Sequence, residues 1–450
     1  MKEHRIRHAC RLALATALLP FAVGTSAQSA MHWKGTVSRA AQPTHATTSG
    51  LPNPLDADTR LAGGFDVQRF EAVANQLVAN GRIPGLAMAI VKDGRILSAR
   101  GYGVTDARNP QPVDAHTVFR LASLSKSFAG TVTGMLVNDG VLRWDSHLTD
   151  YVPAFRLSAP NAAQQVTVAD VLSHRVGLTH NAFDRDIEAN ADYRSLTMKL
   201  ASAPMKCAPG DCYAYQNVAF SLIGDVVFAT TGQFFGETVA RRIFKPLGMH
   251  DASYGLEGIE ASARWAKPHV RGGGGWVPLR PKPTYYRVAP AAGVNASISD
   301  MAQYLIAQTG HRPDVLPAPL LATLHSSLIE TPGELRGASW RRTRLSSAGY
   351  ALGWRVFDYA GHDLIFHGGA VQGYRGAMAL LPDRDLGIAI LWNSESALPS
   401  GLLPTIIDSA LGLGDGQWLD EKIAAPETLM YASGQTPAGV DASAASASPE

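Results

Sequence analysis

Apolar positions along the chain follow two different periods, and the two are unevenly distributed. After Asp66, Phe70, Val73, Ala74, Leu77 and Val78 recur at three- and four-residue spacing and Gly81 follows, which predicts an amphipathic helix ending there. The stretch "GLAMAIVKDGRILSARGYG" (85–103) reads instead as two strands joined by Asp93-Gly94, the dipeptide of a tight primed hairpin turn. The C-terminal part mirrors this. "YALGWRVFDYAGHDLIFHGG" (350–369) and "YRGAMALLPDRDLGIAILWNS" (374–394) predict four strands, with turns at Ala360-Gly361 and around Asp383. A helix then puts Leu402, Leu403, Ile406, Ile407, Ala410 and Leu411 on one face. Residues 120 to 310 are mainly helical in pattern, with long Gly- and Pro-rich connections.

The architecture that buries all of these faces is α/β (α+β). One antiparallel sheet is built from both chain ends and flanked by helices, with an inserted, mainly helical region beside it and a cleft between the two parts. The folded domain is expected over 62–415. Residues 28–61 and 416–450 are rich in small and polar residues, too poor in apolar surface to order alone, and are expected to be flexible tails.

At the start, Lys2, Arg5 and Arg7 precede an apolar run from Leu12 to Val23 and the small residues Thr25 and Ala27. That pattern reads as a secretory signal, 1–27, and predicts a secreted or periplasmic protein without stable membrane insertion. A net charge of +2 over 450 residues sets up no field for nucleic acid. The basic cluster "WRRTR" (340–344) is expected to be a solvated loop, and "RGGGGW" (271–276) a flexible one. Cys207 and Cys212 are either bridged or two free thiols; a bridge closing so short a loop contributes only about 2 kcal/mol of chain entropy.

Three short motifs carry candidate chemistry. In "SLSK", Ser123 and Lys126 lie one helical turn apart at the start of an apolar helix running to about Asp139, so an amine can take the proton of a serine nucleophile. In "YAYQNVAF", Tyr215 and Asn217 point to one side of an extended segment. In "IFHGGAVQGYRG", His367 precedes Gly368, Gly369 and Ala370, where missing side chains let backbone N–H groups approach a ligand. His362 and His367 lie on opposite faces of their strand and cannot share a metal. His174 reads as structural. No GxSxG, P-loop or zinc-ligand spacing occurs, so neither a metal nor another cofactor is called for.

In this order and spacing the motifs resemble those of the serine hydrolases that include class C β-lactamases, penicillin-binding DD-peptidases, D-aminopeptidases and related esterases. The likeness spans about 62–415 and includes "LSHRVGL" (172–178), "PGDCYAYQN" (209–217), "LGM" (247–249) and "AAGVNASISDMAQYL" (291–305). It implies a β-lactamase/transpeptidase-like fold and a Ser123 acyl-enzyme. Lys126 and Tyr215 would manage the serine's proton, Asn217 would contact the substrate amide, and His367, Gly368 and Gly369 would line the opposite wall. The backbone N–H groups of Ser123 and Ala370 would hold the oxyanion. Class C β-lactamases usually carry KTG where this chain has His367-Gly368-Gly369. A histidine with an ordinary pKa near 6.5 is only about one-tenth charged at pH 7.5. Uncharged esters or amides, including D-amino acid peptides and cell-wall-derived ones, are therefore expected ahead of penicillins. The alternatives are a true β-lactamase or DD-peptidase, and a slow penicillin- or peptidoglycan-binding protein.

Overall fold

The computed structural model describes residues 61–414 and 416–419; the expected signal segment 1–27, the segment 28–60 and the chain from 420 onward lie outside the described residues. Helix α1 (Val67–Ala79) starts at Asp66, whose carboxylate accepts the Gln68 N–H at 2.9 Å, and the chain leaves it through Gly81 at φ +64°. Strands β1 (Gly85–Lys92) and β2 (Arg95–Gly103) follow. Asp93 and Gly94 both take positive φ, as the primed turn requires.

The middle of the chain holds α2 (Ser125–Asn138) and many short helices. Among these lie β3 (Phe119–Arg120), β4 (Ser253–Tyr254), β5 (His269–Gly272), β6 (Gly275–Pro278) and β7 (Val294–Ala296). The chain then returns through β8 (Ile329–Glu330), β9 (Leu345–Tyr350), β10 (Arg355–Tyr359), β11 (His362–Val371), β12 (Tyr374–Leu381) and β13 (Leu386–Trp392). Eight strands make one antiparallel sheet in the order β2-β1-β13-β12-β11-β10-β9-β8, so both chain ends supply it as the pattern predicts.

Strand β1 is buried on both sides, and its alternation assigns its residues to two cores. Leu86, Met88 and Ile90 join Phe70, Ala74 and Leu77 of α1 and Leu402, Leu403, Ile406 and Ile407 of the C-terminal helix Leu402–Leu411. Ala87, Ala89 and Val91 face the other way, toward Phe128 and Val132 of α2 and Met301 and Leu305 of the helix Ile298–Ile306. The second face carries the inserted region.

Three local expectations are corrected. "WRRTR" is not a solvated loop but the helix Ser339–Arg344: Trp340 packs near Phe357 and Phe366, and the buried Arg341 ion-pairs with Glu334. "RGGGGW" contributes to a hairpin, β5 paired with β6, in which Arg271 lies opposite Trp276. Residues 416–419, placed in the flexible tail, are packed at Trp418, whose buried indole N–H donates to Asp408 at 2.9 Å. Cys207 and Cys212 are joined as a disulfide. Among the described residues no single helix is long and apolar enough to cross a membrane.

Candidate active site

The chain turns sharply before α2. Ala122 sits at φ +50°, a conformation unfavourable for a residue with a Cβ, and leads into the short turn Ala122–Leu124 that carries Ser123. Strand β11 passes directly beneath this turn. A Cβ built on Gly369 would lie 2.4 Å from the Leu121 carbonyl oxygen and 3.1 Å from the Ser123 nitrogen, so only glycine permits the approach. The ladder between β10 and β11 stops at the Arg355–Phe366 pair, so the Gly368–Ala370 stretch, still paired with β12 on its other edge, has its β10-side edge free of strand pairing. The backbones of Ser123 and of Gly368–Ala370 thus come together.

Lys126, the second residue of α2, is fully buried, and its Nζ has three polar neighbours within hydrogen-bonding distance. It donates to Asn217 Oδ1 at 2.8 Å and to the Ala291 carbonyl at 3.2 Å, and it lies 3.3 Å from Ser123 Oγ. Burial, foremost, and the Arg355 guanidinium push this amine well below the usual lysine range, against the opposing pull of Asp184. A neutral amine has two hydrogens and one lone pair. Two acceptors take the hydrogens, and the remaining direction is toward the serine.

Tyr215 and Asn217 reach Lys126 together, though not from an extended strand: Asn217 (φ −97°, ψ −45°) already begins the short helix Val218–Ser221. The Tyr215 ring centre is 4.6 Å from Lys126 Nζ. Its hydroxyl faces Ser123 yet is buried without a hydrogen bond of full geometry. Burial raises this phenol's pKa, with Arg355 opposing, so it stays protonated at neutral pH. Ser123 itself is only 7% exposed, which makes the approach to it narrow.

Sequence reasoning missed two charged groups here. Phe183, at φ +66°, turns Asp184 inward at the start of the helix Asp184–Glu188. Asp184 Oδ2 accepts from Asn217 Nδ2 at 2.8 Å and from the Tyr285 hydroxyl at 3.4 Å, while Asp184 Oδ1 is buried without a partner. Burial raises its carboxyl to about 7. The second group is Arg355, at the start of β10. It is buried, ion-pairs with Glu334, and sits 5.6 Å from the ring centres of both Tyr215 and Tyr350. Neither stands in a motif. Asp184 is hidden in the charged run "DRDIE", and its burial has no local signature.

The role expected of His367 is corrected. Its ring is fully buried: Nε2 meets the Tyr350 hydroxyl at 3.1 Å, and Nδ1 meets the Gly368 carbonyl at 2.7 Å. Both nitrogens are taken by the protein, so as folded the ring offers nothing to a substrate. Burial, then Arg355 and Lys126, push its pKa well below 6.5, and it is neutral rather than partly charged. His174 is likewise buried and neutral. It packs 4.3 Å from the Tyr215 ring, accepts the Gln216 N–H at Nδ1 (3.2 Å) and meets the Tyr350 hydroxyl at Nε2 (3.2 Å).

Comparison with known proteins matches residues 70–408 to a family described as Beta-lactamase. Among curated relatives, the unguisins hydrolase ungD' of Aspergillus campestris is 27% identical over 373 residues; the match covers 80% of this chain and 65% of that protein's length. Among solved structures, the octameric penicillin-binding protein homologue from Pyrococcus abyssi superposes with a TM-score of 0.69 at 24% identity, covering 79% of each chain. The D-amino acid amidase from Ochrobactrum anthropi SV3 does so with a TM-score of 0.62 at 20% identity, over 77% of this chain and 98% of that one.

Proposed function

Because this chain belongs to the Beta-lactamase family, we propose that it is a serine hydrolase that cleaves an ester or amide through an acyl-enzyme on Ser123. The observation that carries this reading is the surrounding of Lys126 Nζ. With Asn217 Oδ1 and the Ala291 carbonyl as acceptors, the neutral amine turns its lone pair to Ser123 Oγ. Ser123 Oγ attacks the acyl carbon while its proton passes to Lys126. The developing oxyanion takes the N–H groups of Ser123 and Ala370. Tyr215, a protonated phenol beside both Ser123 and Lys126, passes a proton on to the leaving group and regains it from the Lys126 ammonium. Water then repeats the sequence on the acyl-enzyme, with Lys126 again the base.

The acyl donor in this proposal is uncharged at the end that meets the third motif. His367 is neutral and turned into the protein, so that position supplies no cation for a carboxylate such as that of penicillin. The fungal relative named an unguisins hydrolase and the D-amino acid amidase are in keeping with an amide or ester donor. Export belongs to the same proposal and draws support from the Cys207–Cys212 disulfide, a bond that persists in oxidising compartments.

Intact-mass measurement after mixing with short-chain nitrophenyl esters, D-amino acid amides and penicillins tests the reading. An acyl adduct is expected with the uncharged donors, followed by turnover, and none on Ser123→Ala. An adduct on Ser123→Ala would remove the serine from its role. A single burst of chromophore without steady turnover would make the protein an acyl-binding protein instead.

A further inference from the structure

We propose that Tyr350 is a positioning residue: its hydroxyl joins His174 to His367 in one hydrogen-bonded chain that ties the two walls of the site together. The inference rests on the reading of the site given above. The chain begins at the backbone N–H of Gln216, which lies between Tyr215 and Asn217 and donates to His174 Nδ1 at 3.2 Å. His174 Nε2 is 3.2 Å from the Tyr350 hydroxyl, which is 3.1 Å from His367 Nε2. His367 Nδ1 ends the chain on the Gly368 carbonyl at 2.7 Å, two residues before Ala370. One end therefore holds the wall carrying the phenol and the amide, and the other holds the strand that passes under Ser123.

The two backbone ends fix every proton between them. An amide N–H can only donate, so His174 Nδ1 carries no hydrogen and Nε2–H donates to Tyr350. A carbonyl can only accept, so His367 carries its hydrogen on Nδ1, and its bare Nε2 accepts the Tyr350 O–H. The chain runs in one direction, with both rings neutral and of opposite tautomer. A second proton on His174 would set Nδ1–H against the Gln216 N–H. A second proton on His367 would give the Tyr350 oxygen two donors and leave its own hydrogen without an acceptor. The basic neighbours point the same way: Arg355 bears on both rings, with His180 beside His174 and Arg341 beside His367, and a proton on Lys126 would add to the opposition at both, all disfavouring further positive charge. The remaining groups against His174 are the rings of Tyr213, Tyr215 and Phe220.

A chain in which every proton and every ring nitrogen has its partner resists displacement. Its length sets the distance from Tyr215 and Asn217 to the oxyanion-binding strand, and misplacing reacting groups by about 1 Å costs on the order of 100-fold in rate. This accounts for a histidine that stands in the third motif and yet has both ring nitrogens bonded within the protein.

Two measurements test the proposal. Side-chain 15N spectra of the wild-type protein at pH 7 should show His174 protonated only at Nε2 and His367 only at Nδ1. The same tautomer on both rings, or a charged ring, overturns it. Tyr350→Phe should retain a full count of acylatable sites by intact mass but lose about tenfold or more in kcat per acylatable site, with KM changed less than about twofold. Unchanged kcat per site overturns the positioning role, as would a loss of sites with normal kcat in those that remain. If Tyr350→Phe does not fold, the wild-type spectrum decides alone. The spectrum does not depend on Ser123 being the nucleophile, so failure of the acyl-enzyme reading and failure of this inference are told apart.

Discussion

Replacing Asp184 by Asn should make the protein at once more stable and slower. Burial raises the Asp184 carboxyl from 3.8 to about 7, against about 3.9 in an unfolded chain. A folded-state value above the unfolded one means that the native protein holds the proton more tightly. The associated stability is complete below about pH 4 and is lost as pH rises through 7. With a shift of about 3 units at about 1.4 kcal/mol each, the ionised carboxylate weakens the fold by on the order of 4 kcal/mol above pH 7. Asparagine keeps the shape, still accepts from Asn217 Nδ2 and the Tyr285 hydroxyl, and carries no charge. Asp184→Asn should therefore melt several degrees higher than wild type at pH 8.5 and at nearly the same temperature at pH 4.5.

Activity should move the opposite way. The carboxylate lies two hydrogen bonds from Lys126 Nζ, through Asn217, and in the proposed mechanism it stabilises the ammonium formed when Ser123 gives up its proton. At a charge separation of roughly 6 Å and an effective dielectric constant of about 20, that attraction is about 3 kcal/mol, or about 100-fold in rate. Wild-type kcat/KM for a neutral ester should rise with pH through about 7, and the variant should stay low and lack that rise. Equal stabilisation at both pH values, or a variant as fast as wild type at pH 8.5, would refute the assignment of the charge to Asp184.

Lys126→Ala and Tyr215→Phe should each lower the acylation rate about 100-fold or more, and because they act on one proton path the double variant should lose far less than the product; stopped-flow acylation of the three proteins checks this. Gly369→Ala forces a methyl group against the Leu121 carbonyl and should reduce acylation strongly while leaving the near-ultraviolet circular dichroism of the domain in place. Converting both Cys207 and Cys212 to Ser should cost about 2 kcal/mol in urea unfolding, since the bridged loop is short. A loss above about 4 kcal/mol would mean that the loop folds only when bridged.

What was legible in the sequence had its cause within a few residues. The α1 stripe from Phe70 to Leu77, the Asp93-Gly94 and Ala360-Gly361 turns and the Ser123–Lys126 spacing all follow from local periodicity, and all stand as expected. What was not legible depends on partners far along the chain. Asp184 becomes a buried carboxyl only where Asn217 and Tyr285 meet it, and Arg341 is buried only because Glu334 and the aromatic rings of β10 and β11 receive it. His367 was placed at the right wall with the wrong chemistry. Its strand position follows from sequence, but its neutrality and orientation come from Arg355 and Tyr350, one and two strands away in the sheet.

The strand order also governs when the site can exist. β1 is made early, yet its neighbour on the inner side of the sheet is β13, the last strand among the described residues. The sheet cannot be completed on a ribosome until β13 has emerged. The helical insertion has no completed sheet to pack against before then. Closing so long a loop is slow, so the pairing of β1 with β13 is expected late in folding. A site built this way is inert until the two ends of the domain meet, and the serine turn receives its bed of β11 only with the completed sheet.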